Sequence, residues 1–324
     1  MKKILMNDRG VALILVILMI SVIIAVTLHL NILSRSGIYE AANLGDGIQA
    51  ACVAKSGFYA GEALLREDKN SFDSLNEDWA GSQEFSAGSA AFFDAGRFEL
   101  NIEDESGKIP INRLVADNKY NSKLGDLLTR FLTLPEFDMD EQQVRDIVDA
   151  VRDWIDKDDE ITGFGAENIY YEGLEEPYAC KNAPLDCIDE LLMVKGITKD
   201  LYYGTGKRPG IARYLTVYGE GKININTAPK LALIALADGI TGEMVSSMDE
   251  YRRDEENDLS GPNWYNNVTG MDGITIDSEL ITVKSDIFRI TSSGYLNGIS
   301  RSVSGTVERN SDGKDVKILS WKVD

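Results

Sequence analysis

The chain has 324 residues, 33 of them Lys or Arg and 53 Asp or Glu, for a formal charge of -20. A surface this acidic repels phosphate backbones, which bind proteins through Lys and Arg, so the balance argues against nucleic acid and suits a domain outside the cytoplasm with sites for divalent cations. The sole histidine, His29, lies at the edge of an apolar run, so no Ser-His or Cys-His pair can form beyond it and an enzyme is not expected.

Met1 to Gly10 (MKKILMNDRG) is a short leader carrying Lys2, Lys3 and Arg9, and Val11 opens an apolar run that reaches about Leu33. Such a run is long enough to cross a bilayer, which needs about 20 residues. A secretory signal would be removed together with its apolar segment. A cut between Gly10 and Val11 would instead leave that segment as the mature N-terminus, an anchor or an assembly surface; an ordinary single-span anchor is the plainer alternative. The basic leader should stay cytoplasmic, sending everything after Leu33 across the membrane.

From Val11 to about Glu67 there is no proline, and one long helix is expected, about 85 Å at 1.5 Å per residue. Gly37, Gly45, Gly47, Gly57 and Gly61 would mark a bend or sites of close packing between helices. Asp68 to Gly96 reads as a loop, and Arg97 to Ile102 (RFELNI) alternates like a strand. A turn at Ser106-Gly107 should lead to a short second strand. Helical periodicity covers Lys123 to Leu134, Asp140 to Ile155, Leu185 to Val194, Ala228 to Ala237 and Gly242 to Arg253. Strand patterns resume near Asp286 (DIFRITSSGYL), Ser300 (SRSVSGTVE) and Val316 to Lys322. The fold class is therefore α+β: strands flank a long, mostly helical stretch, which implies an insertion into a small sheet.

The segment DWIDKDDEITGFGAE supplies Asp153, Asp156, Asp158, Asp159, Glu160 and Glu167. Hard oxygen ligands concentrated in a flexible loop are what Ca²⁺ takes, six to eight to the ion. The spacing is not that of an EF-hand, and a solvated acidic loop is the competing reading. Cys180 and Cys187 flank KNAPLD and, in an oxidising compartment, are expected as a disulfide in preference to free thiols. A zinc site would need further Cys or His ligands. Cys52 is expected as a buried free thiol.

Two strings, LLMVKGITKDLYYG and ININTAPKLALIALADGITGEMVSSMDEYRR, are similar to helix-hairpin-helix units. Their turns, Lys195-Gly196-Ile197-Thr198 and Asp238-Gly239-Ile240-Thr241, lack the second glycine of a phosphate-binding hairpin. They read as small protein-protein modules.

The Gly10-Val11 junction resembles that of type IV prepilins and type II secretion pseudopilins. Most such subunits carry Glu at the fifth mature position, where this chain has Leu15. A carboxylate within the membrane needs a partner, the N-terminal amine of the subunit ahead. A subunit with no neighbour above it lacks that partner, and among pseudopilins the K minor pseudopilins typically lack this Glu. Further strings that match that family are DESGKIPINRL at Asp104, RDWIDKDDE at Arg152, GAENIYY at Gly165, KNAPLDCIDELLMVKGIT at Lys181 and GKININTAPKLALIAL at Gly221.

The resemblance covers nearly the whole chain and implies its organisation. Residues 1–10 would be a prepilin leader, 11–33 the transmembrane part of the first helix and 34–120 the first part of a pilin-like domain. Residues 121–280 would form the inserted helical domain with helix-hairpin-helix (SAM-like) units, and 281–324 the closing strands. Family likeness further implies cleavage by the prepilin peptidase, methylation of the Val11 amine, and calcium in the helical domain, with Asp156, Asp158, Glu167 and Asn168 best matching its ligand pattern. The implied location is the inner membrane, single-pass, with the large domain periplasmic. The implied partners are the minor pseudopilins I and J at a pseudopilus tip, other pseudopilins, secreted substrates and the outer-membrane channel. The rival readings are a minor pilin of a type IV pilus and a membrane-anchored helix-hairpin-helix DNA receptor.

Overall fold

A computed structural model describes residues 8–310 and 315–324; Lys2 and Lys3 of the leader lie outside the described residues. The first element, α1 (Asp8–Glu67), is the expected long helix, unbroken because no proline removes one of its hydrogen bonds. Residues 11–33 are exposed on every side. Farther along, Ala50, Val53, Ala54, Phe58 and Leu65 form a buried stripe at helical spacing.

That stripe packs on a four-stranded antiparallel sheet in the order β1 (Arg97–Asp104), β8 (Ile287–Leu296), β9 (Ile299–Arg309) and β10 (Val316–Val323). The helix lies so close to it that a Cβ on Gly57 would fall 2.2 Å from Ser292 Oγ and 2.7 Å from the Phe98 ring. Gly294 mirrors this from β8, where a Cβ would meet the Ala50 carbonyl at 2.2 Å. Gly37 and Gly45, in contrast, have nothing within 4 Å. The glycines that matter in α1 are therefore contact points with the sheet, and the helix stays continuous.

The segment expected as a loop between α1 and β1 contains a short helix, α2 (Ser82–Ala87), and a 3₁₀ turn at Ser89–Phe92. These cover the outer edge of β1. Ser86 Oγ accepts the Leu100 N–H (2.7 Å) and lies 3.3 Å from its carbonyl, while Ser89 Oγ accepts the Phe98 N–H (3.1 Å) and donates to its carbonyl (2.8 Å). Two hydroxyls thus take the place of a neighbouring strand.

Between β1 and β8 the chain forms the helical insertion. It runs through β2 (Ile109–Pro110), β3 (Val115–Ala116), β4 (Lys119–Tyr120), α3 (Ser122–Leu132), α4 (Glu141–Ile155), α5 (Asn168–Glu172) and α6 (Lys199–Tyr203). There follow β5 (Leu215–Thr216), β6 (Ile223–Asn224), α7 (Lys230–Ile234), α8 (Gly242–Arg253) and β7 (Ile281–Thr282). The periodicity over Leu185 to Val194 gives only a 3₁₀ turn, Ile188–Met193, and the run from Ala228 shortens to α7 behind Pro229. Both stretches pack by wrapping irregular backbone onto the core, so their apolar spacing mimics a longer helix.

Two cores result. One joins α1 to the sheet through Phe58, Phe98, Leu100, Phe288, Ile290 and Val307. The other fills the insertion from Ile109 to Val283, so Ile109, Ile111 and Leu114 pack with the helices. The two meet at a buried polar junction. Arg309 at the end of β9 pairs with Asp73 and with Asp68 (2.5 Å) and donates to the Ser285 carbonyl (2.8 Å). Beside it Asp104 Oδ2 accepts from the hydroxyls of Thr227 and Ser285, both at 2.5 Å, tying β1 to the insertion.

Candidate functional site: the acidic loop after α4

Helix α4 starts on a capping box. Asp140 accepts the N–H groups of Gln142 and Gln143, each at 2.9 Å, and the Gln143 side chain accepts the Asp140 N–H at 3.0 Å. Val144, Ile147, Val148, Val151 and Ile155 bury one face of the helix, which ends at Asp156 as the backbone becomes extended.

Two acids one turn apart on α4 then hold the returning chain. Asp149 accepts the Phe164 N–H (3.0 Å), and Asp153 accepts the Thr162 N–H (3.1 Å). The glycines of Gly163-Phe164-Gly165 make this possible. A Cβ on Gly163, at φ +51°, would lie 2.4 Å from the Asp149 carboxylate, and one on Gly165 would lie 2.0 Å from that of Asp153.

The fold-back brings Glu167 under the end of α4. Glu167 is 1% exposed, and neither of its carboxyl oxygens has a hydrogen-bond partner among the described residues. Asp156 Oδ1 and Asn182 Oδ1 are likewise buried and unpartnered there. Burial, then the neighbouring Asp158 and Asp153, pushes the Asp156 carboxyl up to about 6. Burial, then Asp153, with Asp156 and Asp159 adding to it, pushes Glu167 to about 7. Buried oxygens without donors cost free energy, and Glu167, Asp156 and Asn182 gather them beside one another.

Asp158, in contrast, is exposed and accepts the Glu160 N–H at 3.0 Å. Asn168 is committed to other contacts: its carbonyl oxygen accepts the Cys180 N–H (2.8 Å) and its amide donates to Asp159 (2.6 Å). Asn182, which no spacing in the sequence singles out, donates to the Asp158 carbonyl (2.9 Å) and to Asp159 (3.1 Å) while keeping its own oxygen free. Among the described residues, no three acids of the loop have oxygens within 4.8 Å of one another, whereas Asp68, Asp73 and Glu77 do. At that second cluster Arg309 occupies Asp68 and Asp73, and Glu77 accepts from Asn70 and Trp79.

The cysteines depart from expectation. Cys180 and Cys187 are both free in this structure. Cys180 is buried with its sulfur 3.7 Å from the Asp153 carbonyl, whereas Cys187 is exposed at the start of the 3₁₀ turn, its thiol facing the Glu190 backbone. Burial pushes the Cys180 thiol up to about 12, with Glu167 adding to it. Cys52 is exposed, because the sheet takes the side of α1 that carries Val53 and Ala54.

The two Gly-Ile-Thr turns share one geometry. Gly196 and Gly239 have φ +86° and +85°, and Thr198 and Thr241 cap α6 and α8 by accepting the N–H groups of Leu201 (3.2 Å) and Met244 (3.3 Å). The first turn follows 3₁₀ backbone rather than an α-helix. At the other end of the molecule, Gly10 lies within α1, and Val11 and Leu15 are exposed on it.

Comparison with known proteins matches residues 107–206 to the family model "Type II secretion system (T2SS), protein K". Type II secretion system protein K of Pseudomonas aeruginosa is 27% identical over 318 residues, covering 95% of this chain and 91% of its own. Its counterpart from Aeromonas hydrophila is 28% identical over 251 residues, 71% of each chain. In fold, the chain is similar to one in the GspK-GspI-GspJ complex of the enterotoxigenic Escherichia coli type 2 secretion system. The TM-score is 0.61 at 16% identity, covering 90% of this chain and 99% of that one. With an exposed apolar half-helix ahead of a small antiparallel sheet, and a helical insertion that carries the family match, the chain is similar to type II secretion system protein K along nearly its whole length.

Proposed function

We propose that the chain is a minor pseudopilin that caps a periplasmic pseudopilus, organising its assembly and supporting export of folded proteins across the outer membrane. The carrying observation is the division of α1: residues 11–33 meet nothing in the monomer, while the segment from Ala50 onward is fixed to the sheet. A half-helix bare on all sides is suited to the membrane before assembly and to a helical filament core after it. Leu15 leaves no carboxylate to be matched from above, and the helical insertion adds a bulky second core beside the sheet.

The partners in this reading are the minor pseudopilins I and J, by analogy with the GspK-GspI-GspJ complex that holds the structural relative. Prepilin peptidase would cut between Gly10 and Val11 and methylate the new amine. The location is the inner membrane, single-pass, with both cores periplasmic. The two Gly-Ile-Thr turns serve protein contacts; the acidic surface and Asp238 at the second turn disfavour a DNA receptor.

The acidic loop would hold calcium through Glu167, Asp156 and Asp158, joined by the Asn182 oxygen, while Asn168 positions Asp159. The ion would supply positive charge to buried oxygens that otherwise repel one another. Asp149 and Asp153 keep the loop folded back whether or not the ion is present.

The test is co-expression with the I and J pseudopilins of the same system, followed by purification from detergent-solubilised membranes. A complex containing all three supports the assignment. Recovery of this chain alone, or long filaments built from it alone, contradicts it.

A further inference from the structure

The acidic loop and α5 leave a group of apolar side chains in the open. Ile161, Phe164, Ile169 and Tyr170 are 54%, 55%, 84% and 40% exposed. Their backbone is nonetheless held. Asp149 accepts the Phe164 N–H (3.0 Å), and Lys195 Nζ donates to the carbonyls of Phe164 (2.9 Å) and Gly165 (3.1 Å). The same ammonium lies 5.2 Å from the centre of the Tyr170 ring, so the loop and α5 form one surface. Helix α5 is anchored through Tyr171, buried against Trp154 with ring centroids 5.0 Å apart, while its neighbours Ile169 and Tyr170 stay exposed. Single exposed apolar residues are ordinary, whereas a group of them on fixed backbone loses little entropy on docking.

The rim of this surface is acidic and uncompensated. Asp158, Asp159, Glu160, Glu172, Glu175 and Glu176 are all exposed, and residues 158–180 contain no Lys or Arg. Where these carboxylates have partners, the partners are neutral: Asp158 accepts the Glu160 N–H, and Asp159 accepts the amides of Asn168 and Asn182. The next base along the chain, Lys181, is spent on Asp186 (2.7 Å) and Glu190 (2.6 Å), and Lys195 on the two carbonyls. Lys157 alone in the loop opposes the six acids. A calcium ion at Asp158 would leave the other five as they are.

We propose that this surface docks a partner polypeptide whose own face is basic, with Lys or Arg side chains around an apolar hollow. The hollow would take Phe164 and Ile169, and the cations would face Glu172, Glu175 and Glu176. A membrane is disfavoured as the occupant because anionic headgroups would meet the same carboxylates. A second copy of this chain is disfavoured because it would set these acids against themselves. The inference goes beyond the tip assignment and stands whether or not the loop holds an ion or the chain joins I and J.

The probe is a short acetylated, amidated peptide alternating Lys and Leu and carrying a fluorophore. Binding to the detergent-solubilised full chain is read by anisotropy, against the same peptide with Glu in place of Lys. The basic peptide should bind about tenfold or more tighter than the acidic one. The double change Phe164→Ser and Ile169→Ser, measured in the same detergent, should cut that affinity about tenfold or more while leaving the melting temperature unchanged, since both side chains are exposed. Reversing Glu172, Glu175 and Glu176 to Lys should shift the preference toward the acidic peptide. Reversing Glu243, Glu255 and Glu256, exposed acids outside the patch, should leave it in place. Equal binding of the two peptides, binding of neither, or full binding to the double variant would overturn the proposal. So would binding to phosphatidylglycerol vesicles that the double variant loses, which would give the surface to a membrane, or a concentration-dependent dimer that it abolishes, which would give it to a second copy.

Discussion

Glu167 shows what one residue discloses. Its two carboxyl oxygens are buried without a donor, and its pKa is raised from 4.5 to about 7. A carboxyl raised in the folded state favours folding in its protonated form. Its contribution is complete below about 4.5 and is lost as pH climbs through about 7. In chelator, the melting temperature should therefore fall between pH 5 and pH 8. Asp156, raised to about 6, adds to the same slope. Glu167→Gln should flatten the loop's share. In calcium at 100 times Kd, the native state gains about 2.7 kcal/mol. The wild type should then melt higher at pH 8, and Asp158→Ala should lose most of that gain. Differential scanning fluorimetry in calcium, magnesium and chelator decides; a shift common to both metals would mark an ordinary acidic surface. The density of acids made this loop readable in the sequence. The part played by Asn182 was not, because only the fold-back over Asp149 and Asp153 brings KNAPLD against Asp159.

At the scale of elements, α1 and the strands were legible because their patterns are strong and uninterrupted. Sheet contact by Gly57 is neither of the readings its sequence offers, a bend or close packing between helices, since a glycine in a helix does not disclose what approaches it. The structure decides it, with Ser292 and Phe98 standing where a Cβ would be. Gly57→Ala should consequently destabilise the domain by about 1–3 kcal/mol despite the better helix propensity of alanine. Gly37→Ala, with nothing within 4 Å, should be neutral or slightly stabilising. Thermal melts of the two variants provide the comparison, and equal behaviour would deny the close contact. Around Leu185 and Ala228 the apolar periodicity extends beyond the helical backbone. Apolar spacing reports which side chains are buried, and a 3₁₀ turn or a wrapped loop can bury the same ones.

Across the whole molecule, sheet and insertion are held by charge as well as by packing. Arg309, itself 5% exposed, joins Asp68 and Asp73 to the end of β9 and to the Ser285 carbonyl. Arg309→Met would leave Asp73 buried without its cation and should cost about 3–5 kcal/mol. Chemical denaturation of the full chain would show this as an earlier transition, and a loss under about 1 kcal/mol would mean the junction is incidental. No sequence pattern announces the pairing, because its members are more than 200 residues apart. The insertion of helices between β1 and β8, by contrast, followed from the order of the patterns alone.

A tip pseudopilin requires an N-terminal helix that is retained and free to join a filament. Its most direct test is the intact mass of the protein extracted from membranes of cells that carry the prepilin peptidase. The expected result is a chain beginning at Val11, heavier by one methyl group, and an uncut chain for Gly10→Glu. A mature N-terminus beyond Leu33 would contradict it, because the exposed half of α1 would then be a discarded signal.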